Sequence, residues 1–277
     1  MIRPINSMMM GFAVVIGELI ALSGSLPPFR ALLGFPVAFL MTAATMALND
    51  YYDRSIDLIN NPGRPIPSGA VSARSALVCA LLFSATGILI SAFVNMSALA
   101  IALFSLVLMI YYNTIGKRVG FLGNVVVSVC VSLPFIFGGY AVQNMKLLLW
   151  VFAFMAFLSN LGREVTKGIT DVAGDTAYKA RTLAVKFGPQ TASVVAAFLL
   201  ASAVGLSILP QALGLVSRYY LPAIVASDIG FITSVVSLLR DCSDRNARVV
   251  KNRILLWMTL GLVGFLLGAY EPPRSIF

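Results

Sequence analysis

Two acidic clusters, one in the segment NDYYDRSID and one in DVAGD, carry aspartates four residues apart in a chain that is otherwise strongly apolar. At about 100° per residue, this spacing places two side chains on one face of a helix, so each cluster can direct its oxygens at one cation. Oxygen ligands without His or Cys are typical of Mg²⁺, which substrate phosphates often help to bind, so we predict a Mg²⁺ site for a diphosphate. The candidate metal ligands are Asn49, Asp50, Asp53, Asp57, Asp171 and Asp175, and the candidate catalytic residues are Asp53, Asp57, Asp171 and Asp175.

The loop that follows the first cluster offers a cation for the phosphates. Asn61-Pro62-Gly63 and Pro65-Ile66-Pro67 predict a turn and an extended segment that return Arg64 towards the acids. There its guanidinium can bind two diphosphate oxygens, and the alternative is an ordinary ion pair with a carboxylate.

The second cluster ends a longer polar stripe, NLGREVTKGITDVAGD. On a helical wheel centred on Asn160, the side chains of Arg163, Glu164 and Lys167 fall on the same face as the two aspartates. Such a face on a membrane helix indicates a wet cavity or a charged ligand. Near the segment YYNTIGKRVGFLGN, Lys117 and Arg118 either reach a phosphate or anchor the membrane boundary. The candidate substrate-binding residues are Arg64, Tyr112, Lys117, Arg118, Asn124, Asn160, Arg163 and Lys167.

Composition places these residues in a membrane. Of 277 residues, 59% are hydrophobic and only 11% are charged, and the mean hydropathy is +0.91, as expected of an integral membrane protein. The absence of histidine excludes imidazole acid–base catalysis, and the three cysteines have no metal-ligand spacing.

Apolar runs of roughly 17–25 residues predict transmembrane helices. We expect an all-α integral membrane fold of nine such helices around a central cavity with short cytoplasmic cap segments. The whole chain, 1–277, is expected to form one membrane domain, with pseudo-repeat units at about 1–114 and 121–239 and a ninth helix at 253–270. The predicted helices are 7–23, 31–48, 73–94, 97–114, 121–139, 146–164, 190–209, 219–239 and 253–270.

The basic residues predict the orientation. With nine helices, 16 of the 20 Lys and Arg fall in connections on one side, so the positive-inside rule places the N-terminus and the active-site face in the cytoplasm of a multi-pass cell-membrane protein. This distribution explains the net charge of +9 without nucleic acid. Both acidic clusters lie on that side. A solvated acidic loop would account for one cluster, but two with interleaved cations favour a functional site.

Two further acids, Glu18 and Asp228, fall within the predicted helices. An unpaired carboxylate at membrane depth is costly, so each is expected to be protonated, to find a partner or to face water. Each of them either orients an acceptor substrate or forms a hydrogen bond between helices.

The motifs resemble those of the UbiA-type intramembrane prenyltransferase superfamily. Asn49, Asp53 and Asp57 with the trailing RPIPSG match its first signature, and Asp171 and Asp175 followed by TLAVKFG match its second. The resemblance implies nine helices around a cavity that opens laterally to lipid, with two Mg²⁺ ions at its cytoplasmic end. One ion is then held by Asn49 and Asp53 and the other by Asp171 and Asp175, with Asp50 and Asp57 in support.

NPGRPIPSG and NLGREVTKGITDVAGD together look most like the branch of this superfamily that works in ether-lipid synthesis. That likeness implies transfer of a prenyl group, geranylgeranyl, from its diphosphate to the hydroxyl of geranylgeranylglyceryl phosphate, a lipid-like acceptor. Membrane lipids are the remaining expected partner. The alternatives are an aromatic (quinone-precursor) or chlorophyll-type prenyltransferase and, more distantly, a transporter of an anionic solute.

Overall fold

A computed structural model describes residues 1–177 and 180–270, apart from the side chains of Asn60, Lys117 and Arg118. Within these residues the chain is all-helical, and nine helices are long and apolar enough to cross a membrane, as predicted. These long helices are α1 (Pro4–Ala21), α2 (Gly34–Asn60), α3 (Ala73–Val94), α4 (Met96–Thr114), α5 (Phe121–Ala141), α6 (Leu147–Thr170), α7 (Leu183–Ser207), α8 (Tyr220–Arg240) and α9 (Asp244–Ala269). Short helices lie at Phe29–Leu32, Gly116–Val119, Val172–Ala177 and Leu209–Ala212.

Three long helices, α2, α7 and α9, extend furthest beyond the predicted boundaries. Helix α2 continues through NDYYDRSID to Asn60, because this polar segment keeps helical geometry after it leaves the apolar run. Helix α9 already begins at Asp244, where the side chain of Ser243 caps it by accepting a hydrogen bond of 3.3 Å from the backbone N–H of Asn246. Helix α7 begins at Leu183 and is interrupted at Gly188, which has a non-helical φ of 84° and is followed by Pro189.

Helix α1 is central to the packing, since it contacts α2, α5 and α9. Its crossing with α5 depends on glycines, because a Cβ added to Gly138 would lie 2.5 Å from the carbonyl oxygen of Val14. Likewise, a Cβ on Gly17 would lie 2.9 Å from the carbonyl oxygen of Phe135. Small residues allow this close backbone approach in membrane helices.

The helices bring the two acidic clusters to one end of the molecule. Helix α2 contacts the short helix Val172–Ala177, which directly follows α6. Helix α6 in turn packs against α5, α7 and α9. The division into two related units at about 1–114 and 121–239 stays a prediction from the spacing of the clusters.

Candidate active site

A polar cleft of about 530 Å³ opens where α2, α4 and α6 end and α5 begins. It brings together candidate site residues that are distant from one another in the sequence. Of the predicted site residues, the cleft lining contains Asp53, Asp57, Arg64, Tyr112, Asn124, Lys167, Asp171 and Asp175.

The first cluster faces the cleft from α2 and the loop that follows it. The backbone N–H of Arg64 donates to the carbonyl of Asn61 at 3.0 Å, which closes the turn at Pro62-Gly63. This turn returns the Arg64 side chain to the acids, and its Nη1 donates to Asp57 Oδ2 at 2.6 Å. Asp57 is buried. A short, charge-assisted bond of this kind fixes the guanidinium at the rim of the cleft.

Asp50, which we included among the metal ligands, does not line this cleft. Its buried carboxylate lies 3.2 Å from Arg3 Nη2 and 3.8 Å from Arg64 Nη1. Because the Asp50 carboxylate is paired with these two arginines and does not line the cleft, we leave Asp50 out of the proposed ligand set.

The second cluster lies across a helix boundary. Helix α6 ends at Thr170, Asp171 has a non-helical ψ of 6°, and a new short helix starts at Val172. The backbone N–H of Asp175 still donates to the carbonyl of Asp171 at 2.9 Å, so the two side chains keep their one-turn relation. The polar helix that the helical wheel predicts as continuous is therefore interrupted, but Asp171 and Asp175 still lie one turn apart.

Electrostatics shows that the two clusters face each other. Burial, together with the neighbouring carboxylates of Asp171 and Asp53, raises the pKa of Asp175 to about 6, although Lys167 and the neighbouring Thr182 hydroxyl act to lower it. Asp53 belongs to the first cluster, so its field acts across the cleft. Facing carboxylates that resist ionisation in each other's presence are a suitable environment for a cation.

An apolar chamber of about 220 Å³ continues from the cleft into the helical bundle. Tyr112, Glu164 and Lys167 line both cavities, so the cleft and the chamber adjoin at these three side chains. Deeper walls are apolar and include Val37, Met41 and further side chains of α1, α2, α4 and α5. This shape suits an amphiphile with a phosphorylated head and a hydrocarbon chain.

Three predicted site residues line the chamber instead of the cleft: Asn49, Asn160 and Arg163. Asn160 donates from Nδ2 to Ser128 Oγ of α5 at 3.1 Å, so at least one of its donors connects helices. Asn49 lies one turn before Asp53 on α2, and its side chain lines the chamber. For Lys117 and Arg118, the predicted roles concern side chains outside the described residues.

Sequence reasoning missed several supporting groups. Lys251 of α9 donates from Nζ to Thr170 Oγ1 at 3.2 Å, and the same hydroxyl lies 3.0 Å from Asp171 Oδ1. Arg248 Nη2 also lies 3.4 Å from the Thr170 carbonyl oxygen. The three-residue spacing of Arg248 and Lys251 places both side chains on one face of α9, which is a signal in the sequence for a shared target.

Buried Glu164 was recognised in the polar stripe but not as a site residue. Its carboxylate lies 3.0 Å from Arg163 Nη1 and 3.3 Å from Lys167 Nζ. Since Glu164 lines both cavities, it fixes one cation towards the chamber and another towards the cleft.

The two acids within the helices differ. Asp228 of α8 accepts a hydrogen bond of 2.7 Å from Ser207 Oγ at the end of α7, which fits hydrogen bonding between helices. Glu18 of α1 is fully buried, and neither of its carboxylate oxygens has a hydrogen-bond partner within the described part of the chain.

The acidic residues fit a metal that is shared with its substrate. Across residues 1–177 and 180–270, no group of three or more Asp, Glu, Cys or His side chains forms a metal cage by itself. The cleft instead offers pairs of aspartates with nearby cations. Mg²⁺ is commonly bound in this way, by one or two carboxylates together with phosphate oxygens.

This helical membrane fold, with its aspartate pairs in a polar cleft next to an apolar chamber, defines an intramembrane enzyme for phosphorylated lipids. The sequence profile of the UbiA prenyltransferase family matches residues 10–270, and the chain belongs to this family. It is therefore a multi-pass membrane prenyltransferase.

Individual relatives agree over nearly the full length. The chain is 37% identical to the digeranylgeranylglyceryl phosphate synthase of Methanopyrus kandleri over 95% of this chain and 96% of the relative. A solved structure from work on digeranylgeranylglyceryl phosphate synthase in membranes has a TM-score of 0.77 at 31% identity, covering 97% of this chain and 96% of that one.

The fold is also similar to that of a UbiA homolog from Archaeoglobus fulgidus bound to DMAPP and Mg²⁺. The TM-score is 0.62 at 16% identity, over 95% of this chain and 97% of that chain. The prenyl diphosphate and the metal belong to that protein.

Proposed function

We propose that this protein transfers a geranylgeranyl group from its diphosphate to the free hydroxyl of geranylgeranylglyceryl phosphate, with Mg²⁺ as cofactor. The observation that carries the proposal is the pair of aspartate clusters that line one polar cleft next to an apolar chamber. The specific donor and acceptor are supported by the 37% identity to a digeranylgeranylglyceryl phosphate synthase along nearly all of both chains.

The chain's own residues would hold the metal in two sets. We assign Asn49 and Asp53 to one Mg²⁺ ion, and Asp171 and Asp175 to the other. When bound, Mg²⁺ supplies positive charge that stabilises the departing diphosphate. Asp57 would act by holding Arg64, at 2.6 Å, against the diphosphate instead of by binding metal.

Cations of the cleft add to this stabilisation. Arg64 and Lys167 line the cleft next to different aspartate clusters. Their positive charge would stabilise the negative charge that the diphosphate gains when it separates from the allylic carbon. Tyr112 and Asn124 line the same space and can donate hydrogen bonds to phosphate oxygens.

The apolar chamber would bind the prenyl chain and exclude water. Each buried CH₂ contributes roughly 0.8 kcal/mol, so the donor would bind mainly through its hydrocarbon tail and react at its head. Exclusion of water lets the acceptor hydroxyl, not hydroxide or water, capture the allylic cation. The hydroxyl proton would pass to the departing diphosphate, because the Asp57 carboxylate is engaged by Arg64.

We further propose that the chain is one membrane domain and that the cleft faces the cytoplasm. The family profile spans residues 10–270 without a break, which supports a single domain. The excess of Lys and Arg on the side of the cleft supports the orientation through the positive-inside rule.

The test is a transfer assay with purified protein in detergent. Radiolabelled geranylgeranyl diphosphate is incubated with geranylgeranylglyceryl phosphate, an aromatic quinone precursor or no acceptor, with Mg²⁺ or with EDTA. We expect the diether product only with the glyceryl phosphate and Mg²⁺. Preferred labelling of the aromatic acceptor, or transfer that survives EDTA, would contradict the proposal.

A further inference from the structure

The chamber has cations of its own at its polar end. Arg3, at the start of α1, and Arg163 of α6 line the chamber but not the cleft, and Asn6 lies beside them in the same lining. We refer to Arg3 and Arg163 as the chamber-mouth arginines. Cations at this position are unexpected for a cavity that only receives a hydrocarbon chain, because burying a guanidinium among apolar walls is costly.

Arg163 retains an unused donor. Its Nη1 donates to Glu164 Oε1 at 3.0 Å, whereas its Nε is buried and has no hydrogen-bond acceptor among the residues that the structure describes. A buried donor without an acceptor is destabilising, so such a group is retained where a ligand completes its bonds.

Arg3 is held in place by an acid outside the cleft. Its Nη2 donates to Asp50 Oδ1 at 3.2 Å, and its backbone has the left-handed φ of 41°. A non-glycine residue in this conformation stores strain, which clusters at ligand-binding positions. Asp50 therefore acts on the chamber mouth through Arg3.

Glu164 separates these arginines from the cation of the cleft. Its carboxylate pairs with Arg163 at 3.0 Å and with Lys167 at 3.3 Å, and only Lys167 of these two cations also lines the cleft. The cleft thus has its own cations, Lys167 and Arg64, for one anionic group. The chamber-mouth arginines are left for a second anion attached to an apolar molecule.

We propose that the chamber-mouth arginines bind the phosphomonoester of the lipid acceptor, while the cleft binds the diphosphate of the donor. This inference rests on the proposed function, in which both substrates carry phosphate. The planar guanidinium matches phosphate oxygens in a bidentate arrangement, and two of them suit a dianion. The acceptor would then be recognised by its phosphate as well as by its chain.

The experiment compares the phosphorylated acceptor with the same glycerol ether lacking phosphate. The measured quantity is kcat/KM for the phosphorylated acceptor divided by kcat/KM for the acceptor without phosphate. For Arg3→Gln and Arg163→Gln we expect this ratio to fall by roughly ten- to a hundredfold, as for loss of a charged hydrogen bond. The KM of the acceptor should change more than the KM of geranylgeranyl diphosphate. The matched control is Arg245→Gln, an exposed arginine of α9 that lines neither cavity.

An unchanged acceptor ratio in both variants, or a donor KM that rises as much as the acceptor KM, would overturn the inference. Arg163→Lys keeps the charge but loses the planar fork, so an intermediate ratio in this variant supports phosphate binding even if Arg163→Gln does not fold. Failure of the proposed function looks different: the wild-type protein would then release no diphosphate with the phosphorylated acceptor.

Discussion

The two acidic clusters have the same spacing but different surroundings. The first lies on the uninterrupted helix α2, and two of its acids, Asp50 and Asp57, are paired with arginines at 3.2 and 2.6 Å. The second spans the end of α6, and Asp175 there has its pKa raised to about 6 by burial and by other carboxylates. Equal spacing therefore does not give equal electrostatics.

The negative charge of the two clusters is therefore compensated in different ways. In the first, the arginines already compensate part of the negative charge, and the acids position those arginines. In the second, burial and the carboxylates of Asp171 and Asp53 disfavour the ionised form of Asp175, so this side of the cleft gains from a bound cation. The aspartates that we propose as metal ligands should nevertheless be equally indispensable in both clusters, since each cluster would hold one end of the same diphosphate.

The largest expected effect is the loss of transfer when either metal pair is broken. Asp53→Asn and Asp171→Asn should each lower kcat by about a thousandfold or more, because an amide replaces a charged oxygen ligand opposite the leaving group. Transfer is measured with radiolabelled donor at saturating Mg²⁺.

The matched control for this loss is Asp241→Asn, since Asp241 is an exposed acid of the α8–α9 connection. If one of the two cleft variants keeps near-native turnover, the clusters are not equivalent ends of one site and the two-ion arrangement is wrong.

Local patterns explain what the sequence predicted well. The nine long helices follow from apolar run lengths, and the turn that returns Arg64 follows from its neighbouring prolines and glycine. The meeting of the two clusters in one cleft was also expected, because both fall on the same side of the membrane in a nine-helix topology.

Long-range contacts explain what the sequence did not predict. The pairing of Asp50 with Arg3 depends on how α1 crosses α2, and no spacing within α2 specifies it. The bond from Lys251 to Thr170 joins α9 to the end of α6 in the same way. Asn160 and Arg163 were placed on the correct helix face, but which of the two connected cavities they line depends on the packing of α5 and α1.

A smaller loss of activity is expected for Asp50→Asn than for Asp53→Asn, although the two acids lie only three residues apart on α2. Asp50→Asn should lower kcat/KM for the acceptor by about tenfold, through loss of the charged bond that holds Arg3, and leave the Mg²⁺ concentration for half-maximal activity within about twofold of wild type. The measurement is a Mg²⁺ titration at fixed substrates, followed by an acceptor titration. A Mg²⁺ requirement that rises severalfold would return Asp50 to the metal ligands.

The smallest expected effect concerns the proton that competes with metal at the second cluster. Because burial raises the pKa of Asp175 to about 6, its carboxyl is mainly ionised at pH 7 and half protonated near pH 6. Mg²⁺ binds the ionised form, so the Mg²⁺ concentration for half-maximal activity should rise about twofold between pH 7 and pH 6. Asp175→Asn, assayed at the Mg²⁺ concentration that its weaker binding requires, should lose this pH dependence while the wild type keeps it. An identical pH dependence in both proteins would place the titrating group elsewhere, and the electrostatic contrast between the two clusters would then not reach the metal.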